Sequence, residues 1–247
     1  MLTKQSISVL RNLHQKKFAL EHKLFLAEGE KLVSEAIKSG DNLIKEIVCT
    51  ESWFNAHPAF IKPEIPVTFA TNKQISQIST LITPQEVLAV CNIHEENTNL
   101  TETDDKFILY FHDLRDPGNA GTILRIADWF GVSKVFTSTE SVFKYNPKLV
   151  QSSMGSVFRI GYQSLTIEQL KTLKNSITIW ATTLDGESVY ETDKKDKGVI
   201  MFGSESHGLP EELIALADKK ITIPKREGSQ AESLNLAISA GIILSHL

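Results

Sequence analysis

"KFILYFHDLRDPGNAGTILRIADWFGVSKVFTS", residues 106–138, decides the fold. An apolar run at 106–112 is followed by turn residues, then by an apolar helix pattern, then by a second strand-like run at 134–138. Pro117-Gly118 sets a turn, Asn119 is the expected helix N-cap, and Gly131 stops a helix near 119–130. At about 100° per residue, Ile123, Leu124, Ile126, Ala127 and Phe130 share the buried side, while Thr122, Arg125 and Trp129 lie on another face. Arg125 is therefore no core residue. Its simplest reading is a surface arginine paired with Asp128 or Asp116.

The alternation continues outward. Strands are predicted at 157–162, 177–183, 198–203 and 219–224, with helices near 166–175, 209–217 and 231–246. The pattern is that of an α/β protein with a mainly parallel sheet and helices on both faces. In such sheets ligands bind beyond the carboxyl ends of the strands. There the sequence places its least ordinary residues: "DLRDPGN", "TTLDGE", "GSESHGLP" and "PKREGSQ".

Upstream, "HEENTNLTETDD" (94–105) has five acids, no Lys or Arg and no apolar periodicity, which marks a linker. Two domains are expected, 1–94 and 106–247, joined by 95–105. The first reads as a small α/β unit with a helix around 3–15, a second over 28–40, and strands at 44–50, 66–70 and 86–93. Its first 23 residues carry Lys4, Arg11, Lys16, Lys17 and Lys23 against Glu21, a balance of 5 − 1 = +4 in a chain whose net charge is −4. Either a solvated helix face or an RNA phosphate contact fits that cluster. Cys49 and Cys91 end apolar runs without metal or redox spacing and read as buried strand residues. No run approaches the roughly 20 apolar residues of a membrane span, so a cytoplasmic protein without membrane contact is expected.

Taken singly, the strand-end loops are bland. "FGSESHGLP" (202–210) offers Gly203 and Gly208 for positive φ or close approach, and Pro210 for a helix start. His207 reads as a surface loop histidine with no metal partner nearby, so no metal site is expected. Ser233 and Asn235 head a strongly apolar terminal helix, where polar residues usually cap. A helix so apolar must be buried against the sheet or a partner subunit. Gly118 and Gly121 do not make a dinucleotide fingerprint, which argues against a nucleotide-dependent oxidoreductase.

In order, however, "NAGTILRIA", "GSESHGL" and "IPKREGSQAESLN" resemble the three motifs of the SpoU-type (TrmH-like) RNA ribose methyltransferases. "NPKLVQSSMGSVFRI" (146–160) is similar to that family as well, and "FLAEGEKLVSEAIKSG" with "TPQEVLAV" resembles the substrate-binding domain that precedes the catalytic domain in many members. The third motif is two residues longer here than the family's usual spacing, and Ser206 stands where glycine is common. The resemblance implies a trefoil-knotted methyltransferase domain that binds S-adenosylmethionine and methylates a ribose 2′-hydroxyl of ribosomal or transfer RNA. It also implies a homodimer with the site near the subunit boundary.

Carried onto this sequence, the resemblance puts Asn119, Arg125, Glu205 and Asn235 in the catalytic site. The cofactor is expected on the three strand-end loops near Leu184, Gly203, Ile223 and Leu234, the last two matching cofactor-contacting positions of the family; the positive residues Lys16, Lys17, Arg115, Arg159, Lys225 and Arg226 are candidates for RNA. An inactive RNA-binding protein that keeps the fold is the alternative reading.

Overall fold

The computed structural model describes residues 2–40, 42–58, 60–94, 107–174, 177–192 and 198–247; the expected linker, 95–105, lies outside them. The chain opens with α1 (Lys4–Asn12), α2 (Lys16–His22), β1 (Leu24–Glu28), α3 (Glu30–Lys38), β2 (Ile44–Cys49), α4 (Glu51–Ala56), β3 (Val67–Phe69), α5 (Asn72–Ile78) and β4 (Val87–Asn92). It continues through β5 (Phe107–Phe111), α6 (Pro117–Trp129), β6 (Lys134–Thr137), α7 (Pro147–Ser153), β7 (Gly161–Ser164) and α8 (Ile167–Leu173). The last elements are β8 (Thr178–Ser188), β9 (Gly198–Phe202), α9 (Glu211–Ile214), β10 (Lys219–Thr222) and α10 (Leu236–His246). Two compact units result, Met1–Glu95 with Phe143–Phe158, and Glu96–Val142 with Arg159–Leu247.

The first unit is a four-stranded sheet in the order β1-β4-β2-β3, with β4 antiparallel to both neighbours and β3 parallel to β2. α1 packs on α5 over a core of Leu10, Leu13, Leu26, Val48, Ile75, Ile78 and Leu88. The helix expected around 3–15 is α1; the chain turns at buried Leu13, and α2, which was not anticipated, starts after Gln15. β1 was not anticipated; Lys23, in the left-handed region at φ 52, ends α2 and starts that strand without a glycine to announce it. Both cysteines are buried in strands, as expected. Burial pushes the Cys49 thiol up to about 11 and the Cys91 thiol higher still, so neither is a nucleophile near neutral pH.

Phe143–Phe158 belongs to this first unit. α7 packs against β1, and Tyr145 stacks on Phe25 at 4.2 Å between ring centroids. That excursion corrects the strand expected at 157–162. Ser156–Phe158 is a 3-10 turn whose Phe158 ring lies 6.3 Å from Phe25, and only Gly161–Ser164 is left to pair with β6.

The second unit is a six-stranded sheet, parallel at every pairing, in the order β10-β8-β9-β5-β6-β7. Ile108, Tyr110, Phe136, Ile179, Val199 and Met201 form one core with Leu170 and Leu173 of α8 and Leu213 of α9. The alternate residues Phe107, Leu109 and Phe111 are buried as well, so the central strand is covered on both faces and reads as a continuous apolar run. On α6, Ile123, Leu124 and Ala127 are buried as expected, but Phe130 is 41% exposed and Ile126 only half-buried. The apolar stripe is narrower than the sequence suggested.

β8 runs beyond the expected 177–183. It pairs with β10 through Trp180 and Ala181, skips five residues, and resumes pairing at Glu187. The resulting bulge bears Thr182–Gly186. Gly186 makes it possible: a Cβ there would sit 2.6 Å from the backbone carbonyl carbon of Ile221.

Candidate active site

Three strand-end loops of the second unit meet at a cleft of about 950 Å³. The β8 bulge supplies Thr182, Thr183 and Leu184; the loop after β9 supplies Gly203 to Leu209; the long segment after β10 supplies Ile223 to Arg226 and Ala231 to Asn235. Leu184, Gly203, Ile223 and Leu234, the residues expected near the cofactor, all line this cleft. Leu184 is 85% and Leu234 49% exposed, so its wall presents apolar side chains to solvent.

The loop after β9 is a tight hairpin. Ser204 and Gly208 exchange backbone hydrogen bonds of 3.0 Å in each direction. Gly208 takes φ +69, and a Cβ on Gly203 would stand 2.1 Å from the Gly208 carbonyl carbon. The hairpin thus projects Glu205 and His207; His207 both lines the cleft and is exposed.

Asn119, Glu205 and Asn235 come together in one polar chain. The Asn119 Nδ2 donates to the Glu205 carboxylate. Asn235 Nδ2 donates to Asn119 Oδ1 at 3.0 Å, and Asn235 Oδ1 accepts from the Ala237 and Ile238 amides at 3.0 and 3.2 Å. Each amide orientation follows from the last. A carboxylate only accepts, so Asn119 must turn its nitrogen toward it, and its oxygen then demands a donor from Asn235. What remains of Asn235 is an oxygen, which is what the head of α10 needs as a cap. Asn119 is not the cap of α6, contrary to expectation. Asp116 accepts from the Asn119 amide at 2.7 Å and Pro117 occupies the first helical position, which frees the Asn119 side chain for this chain of bonds.

Arg125 stands apart. It is exposed, outside the cleft lining, and makes no hydrogen bond or ion pair among the described residues. The pairing considered from sequence fails because both acids are engaged elsewhere: Asp116 caps α6, and Asp128 accepts from Arg159 at 2.7 and 3.0 Å. Arg115 pairs with Asp113 at 2.7 Å, and that partner holds its guanidinium above its ordinary pKa. Lys225 and Arg226 line the cleft and carry no such partner among the described residues. In the other unit, Lys16 lies 5.7 Å over the Phe143 ring, and Lys17 is exposed and unpaired among the described residues.

The extra length of the third motif is taken up at its tip. Gly228 adopts φ +81, Ser229 closes a turn onto the Arg226 carbonyl at 3.1 Å, and Glu227, Gly228 and Gln230 fall outside the cleft lining while their neighbours remain in it. Sequence reasoning did not single out Thr182, Thr183, Ser204 or Glu232, which also line the cleft. Their only signal was position at strand ends. Among the described residues no group of acids, histidines and cysteines is arranged to hold a metal, and no helix is long and apolar enough to cross a membrane.

Known proteins are similar to this chain in sequence and fold. The chain is 29% identical to the 23S rRNA (guanosine(2553)-2'-O)-methyltransferase of Bacillus subtilis over 98% of this chain and 96% of that one. A solved structure of an AdoMet-bound rRNA methyltransferase from Sinorhizobium meliloti superposes with a TM-score of 0.85 at 32% identity, covering 100% of this chain and 95% of the other. A TrmH-family structure from Porphyromonas gingivalis gives 0.87 at 32% identity, covering 100% and 98%. Residues 4–89 match the MRM3-like substrate binding domain. The SpoU rRNA Methylase family model covers residues 106–245, the stretch that holds the cleft and all three members of its polar chain. By that match over more than half its length, the chain belongs to the SpoU rRNA methylase family.

Proposed function

We propose that this protein is an S-adenosylmethionine-dependent methyltransferase acting on a ribose 2′-hydroxyl of ribosomal or transfer RNA. The observation that carries this reading is the meeting of Asn119, Glu205 and Asn235, separated by 86 and 116 residues in sequence from Asn119, beside one cleft. S-adenosylmethionine supplies, when bound, an electrophilic methyl group on a sulfonium. The cleft suits it: Leu184, Ile223 and Leu234 offer apolar surface for a purine, and backbone groups around Gly203 offer donors and acceptors.

The polar chain then orients the ribose, with Glu205 and Asn235 facing the cleft and Asn119 fixing both. Holding an oxygen nucleophile in line contributes at best on the order of 7–11 kcal/mol of barrier lowering. Arg125, whose guanidinium offers donors and no acceptor, serves to hold an RNA phosphate and stabilise charge developing on the oxygen. Its position off the cleft fits a homodimer in which α6 meets a second copy. Exposed Trp129, Phe130 and Ile238 on α6 and α10 support that surface. The family's trefoil knot belongs to the same reading, on the match of the SpoU rRNA Methylase family model to residues 106–245. The cytoplasm, where these RNAs reside, is the proposed location.

Arg125→Ala is expected to abolish methylation while donor affinity stays within about twofold, read by transfer of radiolabelled methyl and by calorimetry. Full activity in that variant rejects the assignment. Lys225→Ala with Arg226→Ala should weaken RNA binding and flatten its salt dependence by up to about two units, at somewhat under one unit per phosphate contact. Arg115 and Arg159, already paired, should matter less in the same titration. The reading as a whole is tested by mapping ribose methylations lost from ribosomal and transfer RNA in a deletion strain; an unchanged map rejects it.

A further inference from the structure

Methylation of a hydroxyl leaves a proton to be placed. Arg125 only donates hydrogen bonds, and the Glu205 carboxylate is already engaged by Asn119 Nδ2. A proton acceptor works best when its strength is matched to the working pH, and carboxylates ordinarily ionise near pH 4, about three units below neutral. The other ionisable side chains of the cleft, among the described residues, are Lys225, Arg226 and Glu232 after β10 and His207 on the hairpin. The β8 bulge brings only Thr182, Thr183 and Leu184, and α9 and α10 bring no charged group to the lining. Ammonium and guanidinium groups are donors. An imidazole is the side chain whose charge ordinarily changes between about pH 5 and 8.

His207 is also held where such a group is wanted. It follows Glu205 by two residues in the hairpin that the paired Ser204–Gly208 bonds close. Two residues of chain span at most about 7 Å, which keeps the imidazole within reach of a sugar oriented by Glu205. The His207 amide donates to Ser204 Oγ at 3.2 Å, and the ring Nδ1 lies 2.8 Å from Ser206 Oγ. With Nδ1–H donating to that hydroxyl, Nε2 is left as the acceptor. The same bond persists when Nε2 gains a proton, because Nδ1 carries hydrogen in both forms. The ring therefore takes up and releases a proton without losing its anchor, and being exposed it can pass that proton to solvent.

We propose that His207 is the general base of methyl transfer, with Ser206 positioning its ring. As the ribose 2′-oxygen forms its bond to the methyl carbon, the sulfonium C–S bond breaks and its electron pair stays on sulfur. The O2′–H proton goes to His207 Nε2 and from there to water. This rests on the RNA methyltransferase reading and names the group that the reading left open.

The test uses the full chain, S-adenosylmethionine and unmodified transcripts of large-subunit ribosomal RNA and of transfer RNAs. Wild-type kcat should rise with pH through about 6 to 7 and level above it, as an imidazole loses its proton. His207→Gln keeps polar atoms in place of the ring but takes no proton. It should lower kcat about a hundred- to ten-thousandfold and lose that inflection, with KM and donor affinity within about threefold of wild type and the melting temperature kept, the residue being exposed. Added imidazole should restore part of the turnover of His207→Ala in proportion to its free-base concentration, a rescue that a structural role does not give. Independently of turnover, diethyl pyrocarbonate should modify His207 in the free protein and spare it when RNA and S-adenosylhomocysteine are bound together. Acid loss of the base is common to every variant that keeps His207, so the pH responses of such variants are compared as ratios to wild type. Near-wild-type turnover in His207→Gln, an inflection that survives there, or a ring that RNA leaves unprotected overturns the inference while the functional reading stands. A wild-type protein that methylates none of these RNAs defeats the functional reading itself, and the base falls with it.

Discussion

Asn119→Ala should lower methyl transfer by about a hundred- to a thousandfold, the loss seen when one preorganised polar group of a catalytic site is removed, while donor affinity changes less than threefold. Asn119 is the hinge of the polar chain: its amide joins the Glu205 carboxylate to the Asn235 amide. Without it each keeps its own loop but loses the direction in which it points. Stability should fall by only about 1 kcal/mol, since Asn119 is only half-buried, Glu205 and Asn235 are exposed, and water can replace the missing partner. Asn119→Asp separates geometry from chemistry. It preserves the acceptor for Asn235 yet sets two carboxylates side by side, which repel until one takes a proton. Methyl transfer by this variant should therefore recover as pH is lowered from neutral, a direction opposite to that of simple acid inactivation. A flat pH response at the alanine level, or wild-type turnover in Asn119→Ala, would remove the polar chain from the mechanism.

That this chain of bonds exists could not be read from periodicity. Its members follow β5, β9 and β10, which strand order sets close together in the sheet, β10-β8-β9-β5, although they are far apart in sequence. What was legible was local: apolar runs with glycine and proline punctuation placed β5, β6, β9 and α6 to within two or three residues. The ordered motifs then supplied the juxtaposition by resemblance. Features that failed to show themselves depended on distant partners. β1 is set off by Lys23 in a left-handed conformation that glycine would have advertised and lysine does not. β7, the sheet-edge strand "GYQS", lacks a β-rich pattern, and Val157 and Phe158 drew the expected strand three or four residues too early because their apolar character serves the first unit's core. The second half of β8 is held against β10 only beyond a five-residue bulge, whose geometry turns on Gly186 and a backbone segment 35 residues later.

Gly203→Ala should be the most damaging single-carbon addition in the cleft. The added methyl would lie 2.1 Å from the Gly208 carbonyl carbon, 2.3 Å from the Leu209 nitrogen and 2.5 Å from the Gly208 Cα, all backbone atoms that no rotamer change can move aside. Relief requires the Ser204–Gly208 hairpin to open, breaking two 3.0 Å hydrogen bonds and withdrawing Glu205 from Asn119. Overpacking of this kind costs about 1–3 kcal/mol, which corresponds to a drop of several degrees in melting temperature, at roughly 2–4 °C per kcal/mol for a chain this size. The functional loss should be larger than the stability loss, because the hairpin is both a wall of the cleft proposed for the cofactor and the carrier of Glu205. Donor binding by calorimetry is expected to weaken at least a hundredfold and methyl transfer to vanish. Gly208→Ala provides the contrast within the same hairpin. No atom lies within 4 Å of its would-be Cβ, so only the left-handed backbone at φ +69 is penalised, by about 1–2 kcal/mol. Donor binding in Gly208→Ala should be weakened less than tenfold. If the two variants bound the donor equally well, close approach at Gly203 would not be what shapes the cleft, and the placement of the cofactor beside the hairpin would have to be abandoned.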